Sequence, residues 1–275
     1  MAVLKRKPLI LPTKKSEIPT SISQYSVFIY GQQKIGKTSL TSKFPKALHF
    51  FFEPSGTDYE LFEVAPKNWD EFLQYISLLE KQEEAGELQF ETFILDVVDL
   101  AYEMCLKHHS GLQGLDYPPK NDFGQTWKEI KDGFRAALIR LARIGGIVCV
   151  SHHKEVVIET RGGIEYSMMK PSAPNGCVDV LSKWADLTAY YRVAEGGGRE
   201  LCITPSDEYE AGNRMESRFK YKKTKTQVTA IPMGESSDES FENFMLAFNN
   251  ELLAPKIVDS AENKPKIKLK AKGTK

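Results

Sequence analysis

Ser26-Val27-Phe28-Ile29-Tyr30-Gly31-Gln32-Gln33-Lys34-Ile35-Gly36-Lys37-Thr38-Ser39-Leu40 decides how the rest of the chain is read. A short apolar run of this kind, closed by a glycine, predicts a buried strand. A loop bounded by Gly31 and Gly36 follows at once, and Ser39-Leu40 opens a helix. Gly-x-x-x-x-Gly-Lys-Thr between a strand and a helix makes a cradle of backbone N–H groups for phosphate oxygens. Glycine suits the places where such a loop turns sharply and the backbone approaches phosphate without a Cβ. The expected nucleotide contacts are Gly31, Gln32, Gln33, Lys34, Ile35, Gly36, Lys37, Thr38 and Ser39. Lys37 would reach the β- and γ-phosphates and the Thr38 hydroxyl would ligate Mg²⁺. ATP and Mg²⁺ are therefore the expected cofactors.

Downstream of the loop, apolar strands alternate with amphipathic helices. Leu48 to Phe52 predicts a second strand, ending in Glu53-Pro54. Trp69, Phe72, Ile76 and Leu79 mark one face of a helix from about 70 to 85. Phe93-Ile94-Leu95 predicts a third strand that ends in Asp96, and a helix near 124–144 stops at Gly145-Gly146. Ile147 to Val150 is a fourth strand, ending at Ser151-His152-His153. Such a chain predicts an α/β fold with a mainly parallel sheet flanked by helices. Beyond His153 the texture changes to two hairpins. One turns at Arg161-Gly162-Gly163, the other joins Leu187 to Val193 with Glu200 to Thr204, and a last helix runs from Ser240 to Leu252. The domain reading is a basic arm over 1–23, an ATPase domain over 24–253 and a Lys-rich tail over 254–275.

Strand ends beside a phosphate loop are where catalytic groups collect. Asp96 is placed to hold Mg²⁺ or its water shell, the alternative being an aspartate that caps the next helix; Asp99 falls one helical turn later. Glu53 could orient or deprotonate the attacking water, or simply form a turn before Pro54. His152 could sense the γ-phosphate and pass that state to the following hairpin. If the strand continues, His153 points the opposite way. His108-His109 close a helix and serve its dipole. Arg214 could reach a neighbouring subunit's nucleotide.

The formal net charge is zero, 37 basic against 37 acidic residues, but the charges are segregated. Residues 1–15 carry +5 and residues 264–275 carry +6 with no acid, leaving 26 basic and 37 acidic residues between them, or −11. Inside that acidic body Lys220, Lys222, Lys223 and Lys225, interleaved with Tyr221, form one dense basic cluster. It suits a nucleic-acid backbone, or a solvated edge strand protected by lysine. Four dispersed cysteines without a CxxC pair predict no zinc site and a reducing compartment. The basic start has too short an apolar run for a secretory signal, and no run of apolar residues is long enough to span a membrane. The expected location is the cytoplasm.

The ordered set of phosphate loop, Glu53, Asp96, Ser151-His152 with Lys154-Glu155, and Asn213-Arg214 resembles the RecA-like core ATPases. It is most similar to phage-encoded nucleotide-binding proteins of the single-strand annealing or recombination type, and Asp122 to Trp127 and Pro205 to Tyr209 are also similar to segments of that family. The resemblance covers about 24–250. It implies ATP hydrolysis with Lys37, Glu53, His152 and Arg214 as catalytic residues. It also implies a RecA-like core, single-stranded DNA as partner, a filament or ring of identical subunits, and a single-strand binding protein as a further partner. DNA would meet the segment from 155 to 176, through Arg161 and Lys170, and the 220–225 lysines. Two departures stand out: Gly212 replaces a lysine two residues before Arg214, and Phe50-Phe51-Phe52 replaces an acidic strand end, which implies slow turnover. Two other functions share the phosphate loop: a nucleotide or small-molecule kinase, which needs an arginine-rich lid, and an ATP-gated adaptor without turnover, such as a helicase loader.

Overall fold

The phosphate-loop strand is central because it is apolar on both faces and needs cover on both. A computed structural model describes residues 11–54, 58–159, 163 and 165–255. In chain order these form β1 (Ser26–Gly31), α1 (Lys37–Thr41), β2 (Ala47–Phe51), β3 (Phe62–Val64), α2 (Trp69–Ala85), β4 (Thr92–Asp96), α3 (Val98–Gly111) and α4 (Gln125–Ala142). There follow β5 (Gly146–Glu159), β6 (Glu165–Pro171), α5 (Asn175–Trp184), β7 (Leu187–Val193), β8 (Arg199–Cys202), β9 (Gly212–Asn213), β10 (Ala230–Met233) and α6 (Ser237–Phe248).

The sheet runs β10-β8-β7-β1-β5-β4-β2-β3. From β7 to β3 every neighbouring pair is parallel, whereas β8 and β10 extend the β7 edge antiparallel. Alternate residues of each central strand feed two cores. Phe28, Phe50, Phe93, Leu95 and Cys149 pack under α2, α3, α4 and α5. Val27, Ile29, Ile94, Val148 and Leu187 pack under α1 and α6, with Phe44, Phe244 and Phe248. Caps fix the helix starts, as where Asn68 accepts the Glu71 N–H and Ser236 the Glu239 N–H.

Several boundaries differ from the sequence reading. The body is anchored before Ser26: Ile22 is buried, and Pro19 O accepts hydrogen bonds from Tyr25 and Arg218. β5 does not stop at Val150. It leaves the parallel sheet at His153 and continues as an antiparallel ribbon with β6, pairing His153 with Pro171 and Glu159 with Glu165. The last helix is α6, three residues earlier than the sequence suggests, because Ser236 is the better N-cap. The lysine cluster forms a turn closed by a Lys220–Gln227 bridge and not an edge strand. Arg161, residues 1–10 of the first arm and 256–275 of the tail lie outside the described residues.

His49 on β2 is fully buried, and neither ring nitrogen has a hydrogen-bond partner among the described residues. Burial pushes its imidazole down to about 4. Because the folded form resists the proton that the unfolded chain accepts, stability is complete above about pH 6.5 and falls as pH drops toward 4. His49→Leu should shrink the stability loss between pH 7 and 4.5, read by urea unfolding, by roughly 2 kcal/mol; an unchanged loss would assign the acid sensitivity elsewhere.

Candidate active site

Four strand ends meet at one edge of the sheet. Gly31 pairs with His152, Asp96 with Val150, and Phe51 with Asp96, so β1, β5, β4 and β2 finish side by side. There they open a cleft of about 210 Å³ lined by Lys34, Gly36, Lys37, Thr38, Ser39, Glu53, Asp96 and His152.

The loop itself is shaped by close packing. A Cβ on Gly31 would lie 2.1 Å from the Tyr191 carbonyl, and Gly36 has φ +106°. A Cβ on Gly36 would point at Arg199 Nη1, 2.8 Å away. Both glycines are therefore required by β7 and β8 behind the loop, and not only by a phosphate in front of it. Lys34 also takes a left-handed φ of 60°.

Lys37 is 6% exposed, and its ammonium donates to the carbonyls of Gly31 at 3.1 Å and Gln32 at 2.6 Å. Burial pushes it down to about 8, against the opposing pull of Asp96, Asp99 and Glu53. Thr38 Oγ1 donates to Asp96 Oδ2 at 2.7 Å. Burial raises the Asp96 carboxyl above its ordinary value, outweighing the Thr38 hydrogen bond and Lys37. Asp96 does not cap α3, whose N-cap is Val97 without a side-chain bond. A hydroxyl and a carboxylate already joined are the two protein ligands a phosphate-bound Mg²⁺ needs, since that ion keeps waters on its other positions. ATP would supply the phosphate anion that the buried Lys37 ammonium lacks.

Glu53 is exposed at the mouth, two residues beyond the Phe51–Asp96 pair, with Phe52 N bonded to Asp96 O at 3.0 Å. His152 faces the cleft with its Nδ1 buried and unpartnered among the described residues. His153 turns away, its Nδ1 3.0 Å from the Tyr190 hydroxyl. Asp99 stays outside the cleft and accepts from Ser172 at 2.6 Å.

The remaining sequence candidates lie elsewhere. Lys170 pairs with Glu210 at 2.9 Å. Arg214 follows β9, which pairs with the first residues of β7, at the edge of the sheet opposite the loop. The length of β1 puts those edges roughly 17 Å apart. Its guanidinium donates to the Lys183 carbonyl. The 220–225 turn is held at that same far edge: Lys222 N bonds Leu252 O, and the nearby Phe248 ring meets Tyr25, just before β1. Among the described residues no three His, Cys, Asp or Glu side chains gather as metal ligands, and no helix is long and apolar enough to cross a membrane.

The family model of an AAA domain matches residues 23–215, most of the chain and every element that builds the cleft. The chain belongs to the AAA-domain family. Nucleotide binding and hydrolysis on a P-loop are that family's general property, and the mixed α/β sheet fits it. The matched AAA segment ends just after Arg214, before the lysine turn and α6. No curated protein matches the chain.

A phosphate beside Lys37 should return its depressed pKa toward 10.5, so nucleotide binding near pH 9 takes up a proton. Calorimetric titrations at pH 9 in buffers of different ionisation enthalpy should give different heats, and affinity should fall as pH rises above 8. Identical heats in both buffers would contradict this account of Lys37.

Proposed function

We propose that this AAA domain is a RecA-like, Mg²⁺-dependent ATPase that acts on single-stranded DNA in phage recombination, annealing or replication. One observation carries the reading. β5 passes without a break from His152 in the cleft into the exposed β5–β6 ribbon, so a γ-phosphate sensor at His152 would share one strand with a projecting surface. Lys37 and Ser39 would anchor ATP, Thr38 and Asp96 the metal, and Glu53 the attacking water. Loss of the γ-phosphate would leave His152 Nδ1 without a partner, and its strand would carry the change outward.

The ribbon offers Tyr166, 37% exposed, as a stacking surface for a base, and Lys154 lies four register positions nearer the cleft, opposite Lys170. Lys170 would have to exchange Glu210 for a DNA phosphate. The lysine turn and Arg214 share the opposite edge. In a filament or ring, that edge of one subunit would approach the cleft of the next, giving Arg214 a neighbour's nucleotide and a DNA path over both surfaces. No arginine is among the described residues lining the cleft, which disfavours a kinase lid.

ATP turnover should rise with single-stranded DNA. Lys37→Ala should abolish it, and Glu53→Gln should keep nucleotide binding while lowering turnover about 100-fold or more. Full turnover in Glu53→Gln would reassign the base, and turnover of a nucleoside monophosphate acceptor without DNA would replace the reading by a kinase. Binding to labelled single-stranded DNA, followed by anisotropy at low salt, should weaken when residues 1–15 and 264–275 are deleted and the four lysines neutralised. Unchanged binding would remove the DNA assignment from these segments.

A further inference from the structure

Behind the phosphate loop, on the side away from the cleft, lies an arginine that no sequence motif marks. Arg199 is the first residue of β8 and is paired on both sides, with Val193 of β7 and with Met233 of β10. Its Nη1 donates to the Ile35 carbonyl at 3.1 Å, and its Nη2 donates to the Gly234 carbonyl at the turn before α6. The guanidinium thus touches the loop from behind at the residue where Gly36 lines the cleft in front.

The Ile35–Gly36 peptide is trans, and in a trans peptide the C=O and N–H point to opposite sides. Holding the Ile35 carbonyl back against Arg199 therefore sends the Gly36 N–H forward into the cradle. The flipped peptide would put a carbonyl oxygen, a partial negative charge, where phosphate oxygens must bind. Gly36 has no Cβ to resist that flip, and the β1–β5 and β1–β7 ladders end at Gly31, before this peptide. We infer that Arg199 is the positioning residue that sets the Ile35–Gly36 peptide for phosphate binding. The inference rests on the cleft being a nucleotide site.

Arg199 touches no substrate in this arrangement, and it acts by fixing the fraction of molecules whose loop is competent. An apparent affinity scales with that fraction, and saturating nucleotide restores the competent form. Loss of the arginine should therefore raise KM and leave kcat nearly unchanged. A group acting on the chemistry would do the reverse.

The test measures the Kd of a fluorescent ATP analogue, steady-state KM and kcat, and thermal midpoint in the full-length chain. Arg199→Ala should raise Kd and KM about tenfold with kcat within twofold. Arg199→Lys, which keeps a donor but loses the planar fork, should fall between it and the wild type, and it reads the same quantity if the alanine variant does not fold. Arg192→Ala serves as control: that arginine belongs to the same hairpin but pairs with Glu200 and Glu208. A lowered midpoint with Kd and KM unchanged in both Arg199 variants, or a fall in kcat alone, overturns the inference. Failure of the wild type to bind ATP removes the nucleotide-site reading itself, a different result from a wild type that binds while its Arg199 variants bind equally well.

Discussion

Burying the Lys37 ammonium against two backbone carbonyls is the constraint on which the site depends. A lysine that is almost fully buried without a hydrogen-bonded carboxylate is held at a cost, visible in its pKa near 8. Such a charge is tolerable only if the loop around it is rigid and an anion can arrive. Rigidity comes from outside the loop: Tyr191 and Arg199 press on Gly31 and Gly36 from the β7–β8 side. The anion is what the P-loop of an AAA domain binds. The extended β7–β8–β10 edge thus does more than enlarge the sheet, since it forms the back wall of the phosphate cradle.

The same sheet sorts groups by distance from that charge. Asp96 stands beside Lys37 with its carboxyl raised by burial and held by Thr38, a pair that gains most when a cation joins it. His152 is one strand away, and the next residue, His153, already belongs to the ribbon and to Tyr190. Tyr30, the last residue but one of β1, donates to the carbonyls of Met169 and Glu210 at the base of that ribbon. Two neighbouring strands, β1 and β5, therefore tie the ribbon to the nucleotide edge. Ser172 adds a third tie, with its N–H on His152 O and its hydroxyl on Asp99 of α3.

Much of this was legible because the chemistry is local in sequence. The phosphate loop is a contiguous string, and Asp96 and His152 close apolar runs whose ends could be read directly. The opposite orientations of His152 and His153 followed from strand alternation. What escaped was either locally polar or distant. The run Ser151-His152-His153-Lys154-Glu155 reads as a strand end, yet β5 continues because its side chains there have left the core for the ribbon. β10 carries Pro232, a residue that argues against a strand, and is tolerated because β10 is the sheet's edge. α5 follows Pro171 and Pro174 and has only ten residues, so Cys177, Val180 and Leu181 gave too short a period to read. Arg199 had no signal at all, for its partners Ile35 and Gly234 are separated from it by long stretches of chain.

Nucleotide bound at Lys37 should be felt along β5 in the ribbon. Hydrogen exchange of the backbone amides, followed by mass spectrometry with and without ATP and Mg²⁺, reads this directly. The account predicts slower exchange in the phosphate loop, residues 31–39, and also in 152–159 and 165–172. Protection confined to the loop, with the ribbon exchanging at its nucleotide-free rate, would contradict it.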